Sequence, residues 1–210
     1  IRQRRAAAVA LATPCVSFSP ARNRTRGPIR SKQRPRGLTH YPWGERFREV
    51  DRRALRRGSA LLDFTIEVLE DCVASNTPAV LENPAGSYLW HDLRLRQVLA
   101  KGRAQIVMVD QCFYGRPWRK RTKLAFVCCC DADLGRLART HCTGRGGWCP
   151  FQRAPHTQLA GDPRLTKCAL ARDAATFPIP MANDIANMLL SRERSAGSFA
   201  CFRHGLRAGR

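Results

Sequence analysis

Cys15 stands in Thr13-Pro14-Cys15-Val16-Ser17-Phe18-Ser19, directly behind the apolar run AAAVALA at 6–12. A strand that ends in Pro-Cys holds its thiol at a sheet edge, where open α/β sheets bind their ligands. The thiol is a nucleophile only as thiolate, which a positive neighbourhood favours; without one, a cysteine behaves as a small inert hydrophobe. Glu82-Asn83-Pro84 follows a second short apolar run at 78–81 and brings a carboxyl group to another strand end. A third stretch, Tyr114-Gly115-Arg116-Pro117-Trp118-Arg119-Lys120-Arg121, brings a cluster of cations. Thiol, carboxyl and cation are the parts of a nucleophilic addition assisted by proton transfer.

A second set of reactive residues lies further along. Cys142, Cys149 and His156 are evenly spaced, with His141 and Cys168 nearby. Cys142, Cys149, His156 and Cys168 would offer zinc four sulfur and nitrogen ligands. The same spacing also fits scattered core or surface cysteines, because no C-x-x-C pair occurs outside the consecutive Cys128-Cys129-Cys130.

Hydrophobic period and punctuation place the elements that must hold these groups. The run at 6–12 reads as a buried strand stopped by Thr-Pro, and 20–44 reads as an irregular, basic, mobile loop rich in Arg, Pro and Gly. Leu62, Ile66, Leu69 and Val73 fall at helical spacing beside a second row of Leu61, Thr65, Val68 and Cys72, and Ser75-Asn76-Thr77-Pro78 ends that helix. Further strands are predicted at 78–81, 105–109 (QIVMV) and 124–130 (LAFVCCC), with a short helix over 93–102. Met181, Ile185, Met188 and Leu189 suit a short amphipathic helix over 181–190. Strands alternating with helices predict an α/β fold with a Rossmann-like, mostly parallel sheet and a small irregular C-terminal region. The expected organisation is an α/β half at 1–130, a small irregular region at 131–175, a helix returning to the core at 176–190 and a basic tail at 191–210.

Composition narrows the partners. The 210 residues carry 37 Lys and Arg against 16 Asp and Glu, a formal charge of +21, with a sequence pI near 11.0. Such an excess points to a polyanion, nucleic acid first, bound through release of counterions from the phosphate backbone. No apolar run approaches the roughly 18 to 20 residues that span a bilayer, so no membrane partner is expected. No acidic residue precedes Glu45, whereas Arg22, Arg24, Arg26, Arg30, Lys32, Arg34 and Arg36 crowd that segment. Ten cysteines without a signal-peptide pattern, three of them consecutive, fit a reducing intracellular compartment better than a secreted disulfide framework. A chain that starts at Ile1 reads as a processed product or a fragment.

The order Pro14-Cys15 with Phe18-Ser19, then Glu82-Asn83-Pro84, then Tyr114-Gly115-Arg116-Pro117 with its cations resembles the DNA (cytosine-5) methyltransferase family over about 6–130. The resemblance implies that Cys15 adds to cytosine carbon 6, that Glu82 donates or shares a proton at ring nitrogen 3, and that arginines stabilise the charge that develops. An ungapped register sets Lys120 and Thr122 where the family has arginines; a shift of one residue sets Arg119 and Arg121 there, and the shifted register is the one adopted. The resemblance also implies a base flipped from double-stranded DNA, with Ser17, Arg22, Arg24, Arg26 and Lys120 on the nucleic acid, and a nuclear location in a eukaryote. S-adenosylmethionine is the implied methyl donor, beside Pro14 and Asn183. The glycine-rich strand-turn-helix that carries this cofactor in the family does not precede the Pro-Cys strand, so methyl transfer by this segment alone is not expected. A non-enzymatic basic nucleic-acid-binding remnant and a zinc-organised interaction module are the alternative readings.

Overall fold

A computed structural model describes residues 6–24, 27–129, 134–159 and 173–195. Four strands form the main sheet: β1 (Val9–Ala12), β2 (Ala79–Pro84), β3 (Gln105–Asp110) and β4 (Arg121–Val127). Their order is β1-β2-β4-β3. The chain reaches β2 from β1 through the 27-residue helix α1 (Glu49–Ser75), long enough to return it to the starting edge, so β1 and β2 pair in parallel.

The expectation of a mostly parallel, Rossmann-like sheet is overturned. Both ladders made by β4, with β2 and with β3, are antiparallel, and the sheet is mixed with mostly antiparallel pairing. The physical reason is the short connection between β3 and β4, which holds a one-turn helix (Gln111–Tyr114) and lacks the crossover helix a parallel return requires.

Helices cover both faces. Ala79 and Leu81 of β2, with Ala125 and Val127 of β4, pack on Leu62, Ile66 and Leu69 of α1 and on Leu95, Val98 and Leu99 of α2 (Leu93–Lys101). The alternate residues Val80, Leu124 and Phe126 meet Leu137 of the short α3 (Gly135–Ala138), and Met181, Ile185 and Leu189 of α4 (Ile179–Ser195). Period two along the strands and period three to four along the helices therefore meet on each face. α1 ends where Asn76 turns left-handed at φ 52°, and Thr77 N–H caps the Cys72 carbonyl at 2.9 Å. A two-stranded ribbon, β5 (Trp148–Cys149) and β6 (Ala154–Pro155), stands apart from the main sheet.

Ile29, Leu38, Tyr41 and Phe47, ahead of α1, build a small apolar cluster against Ala54 and Leu55 of that helix. Arg22 and Arg48 pair with Asp51 of α1, whose carboxylate also accepts from the Tyr41 hydroxyl. No helix among the described residues is long and apolar enough to cross a membrane.

Candidate metal centre and thiol pocket

One end of the sheet collects the reactive residues, because β1, β2 and β3 finish there and β4 begins there. Cys112 follows β3 in its one-turn helix, Cys142 follows α3, Cys149 ends β5, and His156 follows β6. Their donor atoms all lie within 4.8 Å of one another. Tetrahedral zinc with Zn–S bonds near 2.3 Å separates its sulfurs by roughly 3.8 Å, so small side-chain adjustments bring four such donors onto one ion. Cys142 Sγ lies 3.5 Å from His156 Nε2. His156 Nδ1 lies 2.9 Å from the Gly147 carbonyl, and a carbonyl can only accept, so the proton sits on Nδ1 and the Nε2 lone pair faces the sulfurs.

The surroundings support those donors. Asp110, at the end of β3, accepts from Cys142 N–H at 2.7 Å and from Arg121 Nε and Nη2 at 3.1 and 2.9 Å. Arg121 Nη2 also donates to the Cys142 carbonyl at 2.9 Å, and Gln152 Nε2 donates to the Cys112 carbonyl at 2.7 Å. Burial, and then hydrogen bonds and charge from Cys142 and Cys149, push the Cys112 thiol well above the ordinary range. The Cys112 thiol resists ionisation until a cation sits beside it, and three buried thiols and an imidazole with their backbone and carboxylate support fit zinc. Cys142, Cys149 and His156 thus come together as the sequence reading grouped them. Cys168 lies outside the described residues. Cys112 was missed, although its place directly after a strand end was visible in the sequence.

The second constellation forms where β1 and β2 end side by side. Ala12 pairs with Glu82 in the ladder, and Cys15 stands three residues beyond Ala12, on a turn whose Phe18 and Ser19 N–H groups donate to the Cys15 carbonyl at 2.9 and 2.8 Å. Asn83 Nδ2 donates to the Thr13 carbonyl at 2.6 Å and ties the two strand ends together. Burial raises the Cys15 pKa, Lys120 opposes that rise, and Glu82 adds to it, so the three groups share one electrostatic neighbourhood. Burial likewise raises the Glu82 pKa against the pull of Lys120. Glu82 Oε1 and Asn83 Oδ1 are buried and have no hydrogen-bond partner among the described residues.

Lys120, the cation of the ungapped register, reaches this neighbourhood, and its Nζ donates to the Ala174 carbonyl at 2.8 Å. Arg119 and Arg121 point to Asp110 at 3.7 and 2.9 Å, on the metal side. Pro14 is exposed and lines a cavity against α1 that does not include Asn183, which is exposed on α4. Ser17 is buried, Arg22 is spent on Asp51, and Arg26 and the side chain of Arg24 lie outside the described residues. The seven described cysteines are all free thiols. No family model, curated protein or solved structure matches this chain.

Proposed function

We propose that the protein is a nucleic-acid-binding module whose sheet end is fastened by a zinc ion held by Cys112, Cys142, Cys149 and His156. The observation that carries this reading is the convergence of those four donors within 4.8 Å, on segments that otherwise have little regular structure to fix them. A structural zinc site supplies folding energy to such segments. The +21 charge supplies the attraction to a phosphate backbone. Metal analysis of the protein purified in zinc-replete medium should find about one zinc per chain, reduced to background in Cys112→Ser/Cys149→Ser. Binding to a DNA duplex should weaken steeply as salt rises. Metal-free protein that keeps β5 and β6 protected from hydrogen exchange would remove the zinc part of the reading, and binding indifferent to salt would remove the nucleic-acid part.

A second reading is favoured by the shared neighbourhood of Cys15, Glu82 and Lys120. There the Cys15 thiolate adds to the ring of a cytosine-like base, Glu82 in its protonated form donates to a ring nitrogen, and Lys120 stabilises the thiolate. This is the chemistry implied by the resemblance to cytosine-5 methyltransferases, and no methyl donor is assigned to it. Incubation with a duplex containing a 2-pyrimidinone, whose ring accepts a thiol without methyl transfer, should give a denaturant-resistant adduct in the wild type and none in Cys15→Ser. Equal adduct in both proteins, or none in either, would overturn it.

A further inference from the structure

The turn that carries Cys15 has a second side. Pro14, Val16 and Ser17 face α1 across a half-open cavity of about 370 Å³, completed by Arg53, Ala54, Arg57 and Leu61. Gly58 makes the close approach feasible: a Cβ there would overlap Ser17 Oγ and come within 2.9 Å of Arg30 Nη2. The Ser17 side chain is 5 % exposed, yet its Oγ has no hydrogen-bond partner among the described residues. A buried hydroxyl left without a partner carries a desolvation cost that a ligand able to meet it removes.

The charge around this cavity is not balanced. Glu49 is shared by Arg52, Arg53 and Arg56, three guanidiniums on one carboxylate. Arg57, one turn beyond Arg53 on the same face, has no ion pair among the described residues. Behind Gly58 the Arg30 guanidinium is buried over the Phe18 ring at 4.0 Å. It donates to the Pro35 and Leu55 carbonyls at 2.7 and 3.0 Å and to Ser59 Oγ at 3.3 Å, and no carboxylate among the described residues touches it. An apolar floor, two guanidiniums at the mouth, a buried cation behind and an unmet hydroxyl form a receptor for a small group that is flat and apolar on one side and anionic on the other.

We infer that this cavity binds a nucleotide unit, with the phosphate between Arg53 and Arg57 and the base or sugar against Pro14, Ala54 and Leu61. The inference rests on the nucleic-acid reading for its source of ligand, since a free nucleotide and a DNA strand offer the same chemistry. The cavity does not include the Cys15 thiol, which is not among its lining residues.

The 210-residue protein is titrated with thymidine monophosphate and with a short DNA duplex, for the wild type, Arg53→Gln/Arg57→Gln, Ser17→Ala and the control Arg56→Gln. Arg56 is the right control because it sits beside Arg57 in sequence, carries the same charge and pairs with Glu49 outside the cavity. The double variant is expected to bind the occupying ligand about tenfold more weakly, and Ser17→Ala about threefold, while Arg56→Gln stays within about twofold. Ser17→Ala removes a buried hydroxyl with no protein partner, so its melting temperature should equal or exceed that of the wild type and the binding loss can be read without unfolding. Weakening of monophosphate alone assigns the site to free nucleotide, and weakening of duplex binding assigns it to a strand. Equal losses in Arg56→Gln and the double variant, or no loss in either, would overturn the cavity. A wild type that ignores duplex but binds monophosphate in the variant-dependent way breaks the nucleic-acid reading and leaves the cavity standing.

Discussion

The thiol pocket and the metal centre occupy the same end of one sheet, yet they treat sulfur in opposite ways. In the pocket burial raises the pKa of a single thiol, while Lys120 lowers it and Glu82 adds to the rise. In the cluster three buried thiols and an imidazole face one another, and Asp110 with Arg119 and Arg121 lies behind the backbone of Cys142. The first arrangement suits a thiol that changes state, the second a thiol that is fixed once by an ion. Lys120 and Arg121 embody this division. Adjacent residues of an extended chain point to opposite sides, and here one side is the pocket and the other the cluster.

Breaking one region should leave the other intact, and the largest effect belongs to the cluster. Cys149→Ser, or a chelator added to the wild type, should lower stability by several kcal/mol, about 10 to 20 °C in Tm followed by circular dichroism. Cys15→Ser should shift Tm by no more than about 2 °C, because Cys15 is half-buried and the turn's hydrogen bonds to it are accepted by its backbone carbonyl, which serine keeps. Comparable losses in the two variants would erase the distinction.

Lys120→Met is the next largest change, and it acts on the pocket. Without the lysine the Cys15 pKa rises further, and labelling of Cys15 by iodoacetamide near neutral pH should slow by about threefold to tenfold, read by peptide mass spectrometry. Zinc content should not change. An unchanged labelling rate would separate Lys120 from the thiol.

Glu82→Gln gives the smallest effect. Burial raises the folded-state pKa of Glu82, so the folded chain holds that proton more tightly than the unfolded chain. The stability this lends is complete below the unfolded value of about 4.3 and is lost as pH rises through the folded value. Urea unfolding at acid and neutral pH should therefore show Glu82→Gln gaining on the wild type by about 1 kcal/mol as pH rises through that window. A gap that stays constant with pH would mean that the carboxyl is hydrated in the folded chain.

The sequence announced the strands and helices more clearly than their directions. Runs of Val, Ile, Leu and Ala at 6–12, 78–81, 105–109 and 124–130 each overlap a strand, and the row Leu62, Ile66 and Leu69 faces the sheet. Direction is set by what lies between strands, and the ten residues from Gln111 to Lys120 are too few for a helical crossover; that signal was legible and was outweighed by the alternation of strands and helices earlier in the chain. The cluster was legible in three of its four members because Cys142, Cys149 and His156 are close in sequence. Cys112 joins them only through the tertiary contact of β3 with the segment after α3, which no local spacing encodes.

The tie between Asn83 and Thr13 spans 70 positions of chain, whereas Asp110 and Arg121 are 11 apart. Closing the longer loop costs more chain entropy, and a parallel pairing at such separation is slow to find. The β3 and β4 ladder, with the metal donors beside it, is therefore expected to form first and to stand as a template, and the Cys15 pocket closes only when α1 has carried β2 back beside β1. A chain caught midway would already have its four metal-donor side chains gathered and would still have the Cys15 thiol open to solvent.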